Sequence, residues 1–334
     1  MQILITGGLG YIGSHTALNL LSLNYEVIII DDLSNSSYKT KALLEQISKK
    51  KIKFYNQKIQ DKQAIKKVFL ENKIDFVMHF AGLKSVTESV KIPLNYYEVN
   101  ISGSINLINA MKDSNVNKML FSSSATVYKN QPLPWNEETQ VNIPFTPYGL
   151  SKIFTERIFS DASNEINDFR LGILRYFNPI GAHKSGLIGE EFNNKSKNLI
   201  PNILRVIDGK QDVLNVYGND YKTPDGTCIR DYFHINDLVN GQIRAMDFIN
   251  ENPGLNIWNL GSGKGYSTLE IIKMFEKKIN KNIPIQFHKR RKGDLDKFWC
   301  DPSKARKELD WKTYESLDTM VTDILYFYEK NKER

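Results

Sequence analysis

Residues 1–13 read M-Q-I-L-I-T-G-G-L-G-Y-I-G, an apolar strand that runs straight into glycines at 7, 10 and 13 and then into a helical pattern. This is the sequence of an anion cradle. Glycines let the backbone turn tightly and approach a pyrophosphate, and the N-terminus of the following helix faces the anion with free N–H groups. A glycine triplet by itself also marks an ordinary strand-to-helix turn, so the context decides. A second apolar strand over 26–30 ends at Asp31, about 20 residues past the glycines, where a carboxylate accepts hydrogen bonds from an adenosine ribose. Together they predict a bound dinucleotide. A 2′-phosphate beside Asp31 and Asp32 would meet like charge, and no arginine lies in 33–38 to receive it, so NAD is expected over NADP.

Outward from this segment, short apolar stretches near 2–6, 26–30, 52–56, 75–80, 117–122 and 169–175 alternate with amphipathic helical patterns. Such alternation means βαβ units, and right-handed crossovers turn them into a doubly wound parallel sheet, an α/β Rossmann fold. Ligands of such sheets lie outside the carboxyl ends of the strands. Chemistry is therefore expected at 80–84, 122–126 and 176–178. After Asn178 the rhythm loosens into Pro-, Gly- and Asn-rich stretches with short elements such as 199–208, 214–217 and 269–279. We read residues 1–177 as the NAD-binding domain and 178–334 as a second, smaller α/β substrate-binding domain, with a return of the chain to the first sheet near 229–238 left open.

The composition narrows the function classes. Of the 334 residues, 41% are hydrophobic and 25% charged, which describes a globular chain. The first strand begins at residue 2, leaving no space for a leader, and no stretch approaches the roughly 20 apolar residues of a membrane span; a cytosolic protein with no membrane partner is expected. Two cysteines, Cys228 and Cys300, are too few for a disulfide framework, and no Cys or His spacing suits a metal. The net charge of +7 is spread as lysines along the helical patterns at 39–51 and 273–281. Only the run 289–292, Lys-Arg-Arg-Lys, is dense, so nucleic acid is not an expected partner; a mildly basic field still favours an anionic small substrate.

Tyr148 and Lys152, in P-Y-G-L-S-K, fall four apart at the start of a helical pattern reaching about Asn164 and so share one face. A tyrosine serving as a base near neutrality needs its pKa lowered by roughly 3 units, about 4 kcal/mol. One nearby cation lowers a pKa by about 1 to 3 units, so Lys152 together with a positively charged nicotinamide suffices. Alone, Y-x-x-x-K is usually an exposed helix pair. The third element is Ser124, in F-S-S-S-A-T-V-Y at the carboxyl end of an apolar strand. Its hydroxyl can bridge a substrate oxygen and the tyrosine oxygen, although a strand-end serine can also merely cap a turn.

At T-G-x-x-G-x-x-G, Ser124 and Y-x-x-x-K the chain resembles the extended short-chain dehydrogenase/reductase superfamily. The resemblance narrows with F-A-G-L-K-S-V at 80–86, S-S-S-A-T-V-Y at 122–128, Y-F-N-P-I-G-A-H at 176–183 and D-G-T-C-I-R-D-Y at 225–232. Together these are similar to the UDP-galactose 4-epimerase family over nearly the whole length. That family reading implies an isomerase of galactose metabolism: Tyr148 removes the proton of the sugar 4-hydroxyl while the C4 hydride passes to NAD, the 4-keto sugar turns over about its link to the diphosphate, and the hydride returns to its other face.

Carried over residue by residue, the resemblance implies Ser124, Tyr148 and Lys152 as catalytic, with Lys152 also on the nicotinamide ribose. It implies coenzyme contacts from Gly7, Gly10, Tyr11, Ile12, Gly13, Asp31, Asn35, Ser36, Phe80, Lys84, Asn100, Ser122 and Tyr176. The UDP-hexose would meet Ser124, Asn178, Asn198, Leu199, Tyr217, Arg230, Arg291 and Asp294, two arginine forks suiting a diphosphate. Phe298, four residues after the Asp of R-K-G-D at 291–294, would line the hexose pocket, and its ring would leave little space for a 2-acetamido group. A homodimer is implied, paired through helices near 92–113 and 148–164. Two departures stand out: Gln57-Lys58 replaces the acidic residue that meets the adenine amino group, and Lys129 replaces a glycine. Two rival readings share part of these residues. A nucleotide-sugar 4,6-dehydratase would place an Asp-Glu pair after the active-site hydroxyl, where this chain has Ala125-Thr126, and a non-catalytic NAD-binding module would not need Ser124, Tyr148 and Lys152 together.

Overall fold

The structure is a computed structural model that describes residues 1–128, 131–141, 146–192, 198–291 and 294–332. Its strands are β1 (Gln2–Thr6), β2 (Glu26–Asp31), β3 (Lys53–Asn56), β4 (Phe76–His79), β5 (Lys118–Ser124), β6 (Arg170–Tyr176), β7 (Asn178–Ile180), β8 (Leu214–Tyr217), β9 (Ile229–His234), β10 (Gly254–Leu260), β11 (Gly265–Ser267), β12 (Ile285–His288) and β13 (Lys297–Phe298). Seven of them form one parallel sheet in the order β10-β6-β5-β4-β1-β2-β3. The expected doubly wound α/β fold is thus present, and the order reverses between β1 and β4, where such sheets open a crevice.

The apolar runs give strands buried on both faces because successive side chains point to opposite layers. Ile3, Ile5, Ile29, Met78 and Leu120 join one core cluster, whereas Leu4, Ile28, Val77, Met119 and Phe121 join the other. The first cluster continues into the second half of the chain through Phe177, Phe233, Trp258 and Trp311. That half holds two small sheets, β11-β9-β13 with β7 beside β9, and β12-β8.

The chain leaves the first sheet after β6, at Tyr176, and enters the second half with β7 at Asn178. It returns later than 229–238: β9 stays in the second sheet, the helix Ile235–Glu251 packs against the glycine-loop helix Tyr11–Ser22 and against β6, and β10 then pairs with β6. The sequence hides this strand because G-L-N-I-W-N-L interleaves asparagines, occupies a sheet edge and starts at Gly254 with φ +94°. The expected helix at 92–113 is interrupted: Pro93–Tyr97 and Gly103–Asp113 flank a π-turn over Glu98–Ser102. Among the described residues, no helix is long and apolar enough to cross a membrane, and no group of His, Cys, Asp or Glu is arranged to hold a metal ion.

Candidate active site

The carboxyl end of β1 forms the cradle. Gly7 has φ +69°, and a Cβ there would stand 2.7 Å from the amide nitrogen of Ala81, so only glycine lets the loops after β1 and β4 meet. Gly10 precedes the helix Tyr11–Ser22 without any side-chain cap, which leaves the first-turn amides free for an anion. Gly13 packs on Gly7 and Gly8 where a Cβ would collide with backbone. Asp31 is fixed from three sides: Oδ2 accepts from the Leu9 amide at 2.9 Å, and Oδ1 from the Leu33 amide and from Ser36 Oγ at 2.6 Å. Open amides, close backbone approach and an oriented carboxylate fit a dinucleotide. Asp32, Asn56, Gln57, Lys58 and Asp61 line an open pocket beyond the ends of β2 and β3, the direction in which an adenine continues past its ribose. Lys58 faces it without a carboxylate in its place.

Ser124, Tyr148 and Lys152 meet at the carboxyl end of β5. The helix Pro147–Asp161 starts with Thr146 accepting from the Gly149 amide and Pro147 in its first turn, the usual start signals. Tyr148 is buried next to Ser124, whose Oγ accepts from the Thr126 amide and hydroxyl. Lys152 Nζ donates to the Ser122 carbonyl at 2.7 Å and lies 4.8 Å from the Phe121 ring centroid and 6.0 Å from that of Tyr148. Burial raises the Tyr148 pKa above its ordinary value, with Ser124 opposing. In the protein alone Lys152 is not among the groups that shift Tyr148; the expected lowering belongs to Lys152 together with a positively charged nicotinamide. Burial brings the lysine itself down to about 8, against the pull of Glu156.

The other coenzyme-side residues divide into exposed and committed groups. Asn35 and Lys84 are exposed, and Tyr11, Ile12, Ser36 and Phe80 are half-buried. Tyr11 OH donates to the Gly181 carbonyl at 2.9 Å. Asn100, in the π-turn, spends its side chain on both backbone groups of Leu83 and on Ser151 Oγ. Tyr176 OH accepts from Gln242 Nε2. A buried chain Thr6–His79–Ser104 ties β1 to the helix behind β4.

On the substrate side, Asn178 starts β7, and its Oδ1 is buried without a hydrogen-bond partner. Asn198 caps the helix Leu199–Ile207 without a side-chain bond to it and donates instead to Glu190 Oε1. The two arginines each lie over an aromatic ring, Arg230 4.5 Å from the Phe298 centroid and Arg291 4.0 Å from that of Tyr217. Asp294 Oδ1 is 3.6 Å from Arg230. Lys129, and Lys292 and Gly293 of the R-K-G-D motif, lie outside the described residues.

Several residues that sequence reasoning passed over hold this arrangement. Glu190 Oε1 accepts from Lys84 Nζ at 3.1 Å as well as from Asn198, joining the loop after β4 to the cap of the helix Leu199–Ile207. On the helix that bears Tyr148, Glu156 forms a buried bidentate pair with Arg175 of β6, and Ser123 Oγ joins it. Glu156 stands four residues after Lys152, and that spacing is the one signal that could have flagged it.

The sequence profile of the family described as GDP-mannose 4,6 dehydratase matches residues 4–324. The chain is 46% identical over 332 residues to a UDP-glucose 4-epimerase of Pasteurella multocida, covering 99% of this chain and 98% of that protein. A crystal structure of a UDP-glucose 4-epimerase of Bifidobacterium longum in complex with NAD+ and UDP superposes with TM-score 0.96 at 44% identity, covering 99% of both chains. One from Stenotrophomonas maltophila, with bound NAD and formylated UDP-arabinopyranose, gives TM-score 0.95 at 40% identity over 100% of this chain and 99% of the other.

Proposed function

The chain belongs to the UDP-glucose 4-epimerase family of the extended short-chain dehydrogenases/reductases, and from that premise we propose that it interconverts UDP-galactose and UDP-glucose through a 4-keto sugar. The observation that carries this reading is the buried Tyr148 next to Ser124 at the carboxyl end of β5, with Lys152 one turn on and anchored on the Ser122 carbonyl.

NAD, when bound, supplies a hydride acceptor that later returns the hydride, so no net oxidation occurs. The chain does the rest. Tyr148 takes the proton of the sugar 4-hydroxyl, and Ser124 orients that hydroxyl toward it. Lys152, anchored on the Ser122 carbonyl, holds a positive charge next to the reacting oxygen and reaches the ribose. Asp31 orients the adenosine ribose and repels a 2′-phosphate. Arg230 and Arg291 hold the diphosphate, so the keto sugar can turn while its handle stays fixed. Residues 1–177 with the returning segment 235–260 form the coenzyme half in this reading, and the remaining residues from 178 on form the nucleotide-sugar half. A cytosolic homodimer is part of the same family reading.

A dehydratase would share the first oxidation and then eliminate water, for which it needs an acid next to the site. Ala125 and Thr126 occupy that place, which favours the epimerase. Purified protein incubated with UDP-galactose and no added coenzyme should yield UDP-glucose by proton NMR. A 4-keto-6-deoxy product, or no product with NAD bound, would overturn the reading.

A further inference from the structure

Phe298, on β13, carries two partners at once. Its ring lies 5.3 Å from that of Trp135 with the planes 6° apart, and the Arg230 guanidinium sits 4.5 Å over it. Trp135 is fully buried and stitched in place: its amide donates to the Trp299 carbonyl, and its carbonyl accepts from the Asp301 amide and from Asn259 Nδ2. Asn259 in turn accepts from Tyr128 OH, which Arg175 of the buried Glu156 pair also contacts. The backbone of Trp135 is thereby tied to the segment that follows Phe298 and, through Asn259, to β10, while its indole N–H donates to the Gln131 carbonyl. Arg230 has few other fixed partners, one neighbouring carbonyl, Ile229, and Asp294 at 3.6 Å.

Building on the reading above, we propose that Trp135 and Phe298 act as one stacked unit that positions the Arg230 guanidinium for the diphosphate, which makes Trp135 a positioning residue. A planar guanidinium gains from an aromatic face and loses less freedom on binding when it is already held. The hexose wall and the diphosphate grip are then set by the same ring. Trp135, fully buried, acts through Phe298.

The test measures UDP binding by calorimetry, together with KM and kcat for UDP-galactose, in Trp135→Phe, Trp135→Leu, Phe298→Leu, Arg230→Lys and the Phe298→Leu/Arg230→Lys double variant. Bound NAD and the melting temperature report on folding. Phe298→Leu and Trp135→Leu should weaken UDP about five- to thirtyfold and raise KM to match, and Trp135→Leu, which leaves the ring of the hexose wall in place, should keep kcat within about threefold, since the interaction it loses is uniform binding. Trp135→Phe, which keeps the stack, should stay within about twofold. In the Arg230→Lys background, Phe298→Leu should cost less than about twofold more. Additive losses in that cycle, or unchanged UDP binding in Phe298→Leu, overturn the proposal while leaving the epimerase reading intact. Failure of the unmutated protein to bind UDP overturns both. Phe298 is only half-buried, so the cycle stands even where Trp135→Leu does not fold.

Discussion

Lys152 Nζ donates to the carbonyl oxygen of Ser122 at 2.7 Å, a bond that joins the helix bearing Tyr148 to the strand bearing Ser124. It fixes the lysine in a buried place beside Phe121, where its pKa falls to about 8. Burial in the same place raises the pKa of Tyr148, with Ser124 opposing.

Tyr148→Phe keeps the ring and the packing but removes the proton acceptor. The variant should retain its fold and its bound NAD and lose at least about a hundredfold in kcat, the lower range of general-base contributions. Turnover near that of the unmutated protein would end the assignment.

NAD and not NADP should copurify with the protein, because Asp31 is held rigidly by the Leu9 and Leu33 amides and by Ser36. It cannot turn away from a 2′-phosphate without abandoning those bonds. Mass spectrometry of the denatured protein reads the outcome, and mainly NADP would contradict it.

Phe298 is held on Trp135, with Phe177 6.1 Å away. Its stacking partner, Trp135, comes from the segment after β5. Seating a 2-acetamido group against so constrained a ring costs about 1 to 3 kcal/mol. UDP-glucose and UDP-galactose should be preferred over their N-acetyl counterparts by roughly 5- to 150-fold in kcat/KM, and Phe298→Ser should narrow that ratio. Equal kcat/KM for UDP-galactose and UDP-N-acetylgalactosamine in the unmutated protein would remove the gate.

Acid should destabilise the fold before carboxylates titrate. Burial lowers the pKa of His15 and His79 to about 3 and of His234 to about 4. Between those values and the unfolded value of about 6.5, the unfolded chain binds more protons than the folded one, so stability rises with pH and is lost as pH falls from about 6.5. At pH 5 each histidine costs about 2 kcal/mol. The melting temperature should drop by roughly 5–15 °C from pH 7 to pH 5, less steeply in His79→Gln. A flat profile would contradict this.

A dimer through the first-half helices is consistent with the apolar side chains left open there: Leu94 is 81% exposed, Val90 60% and Phe154 46%. Leu94→Asp and Phe154→Glu together should shift the mass measured by light scattering from twice the chain to one chain. An unmutated protein that runs as a monomer would exclude the pairing.

The sequence alone determined the parallel sheet through β6, the glycine cradle, Asp31 and the Ser124, Tyr148, Lys152 constellation. Each rests on local geometry: alternation shows which faces are buried, a four-residue spacing puts two side chains on one helical face, and a strand followed by glycines has few ways to turn. What the tertiary structure decided are pairings between distant segments. β10 returns to an edge that no periodicity announces, Lys84 meets Glu190 across 106 positions, Tyr128 meets Asn259 across 131, and Trp135 lies on Phe298. Such contacts leave no period in the chain, because the partner that completes each side chain's environment arrives only when the two halves pack. The same reason explains the pKa values at the site, since spacing places Lys152 beside Tyr148 but only burial determines how much each is shifted.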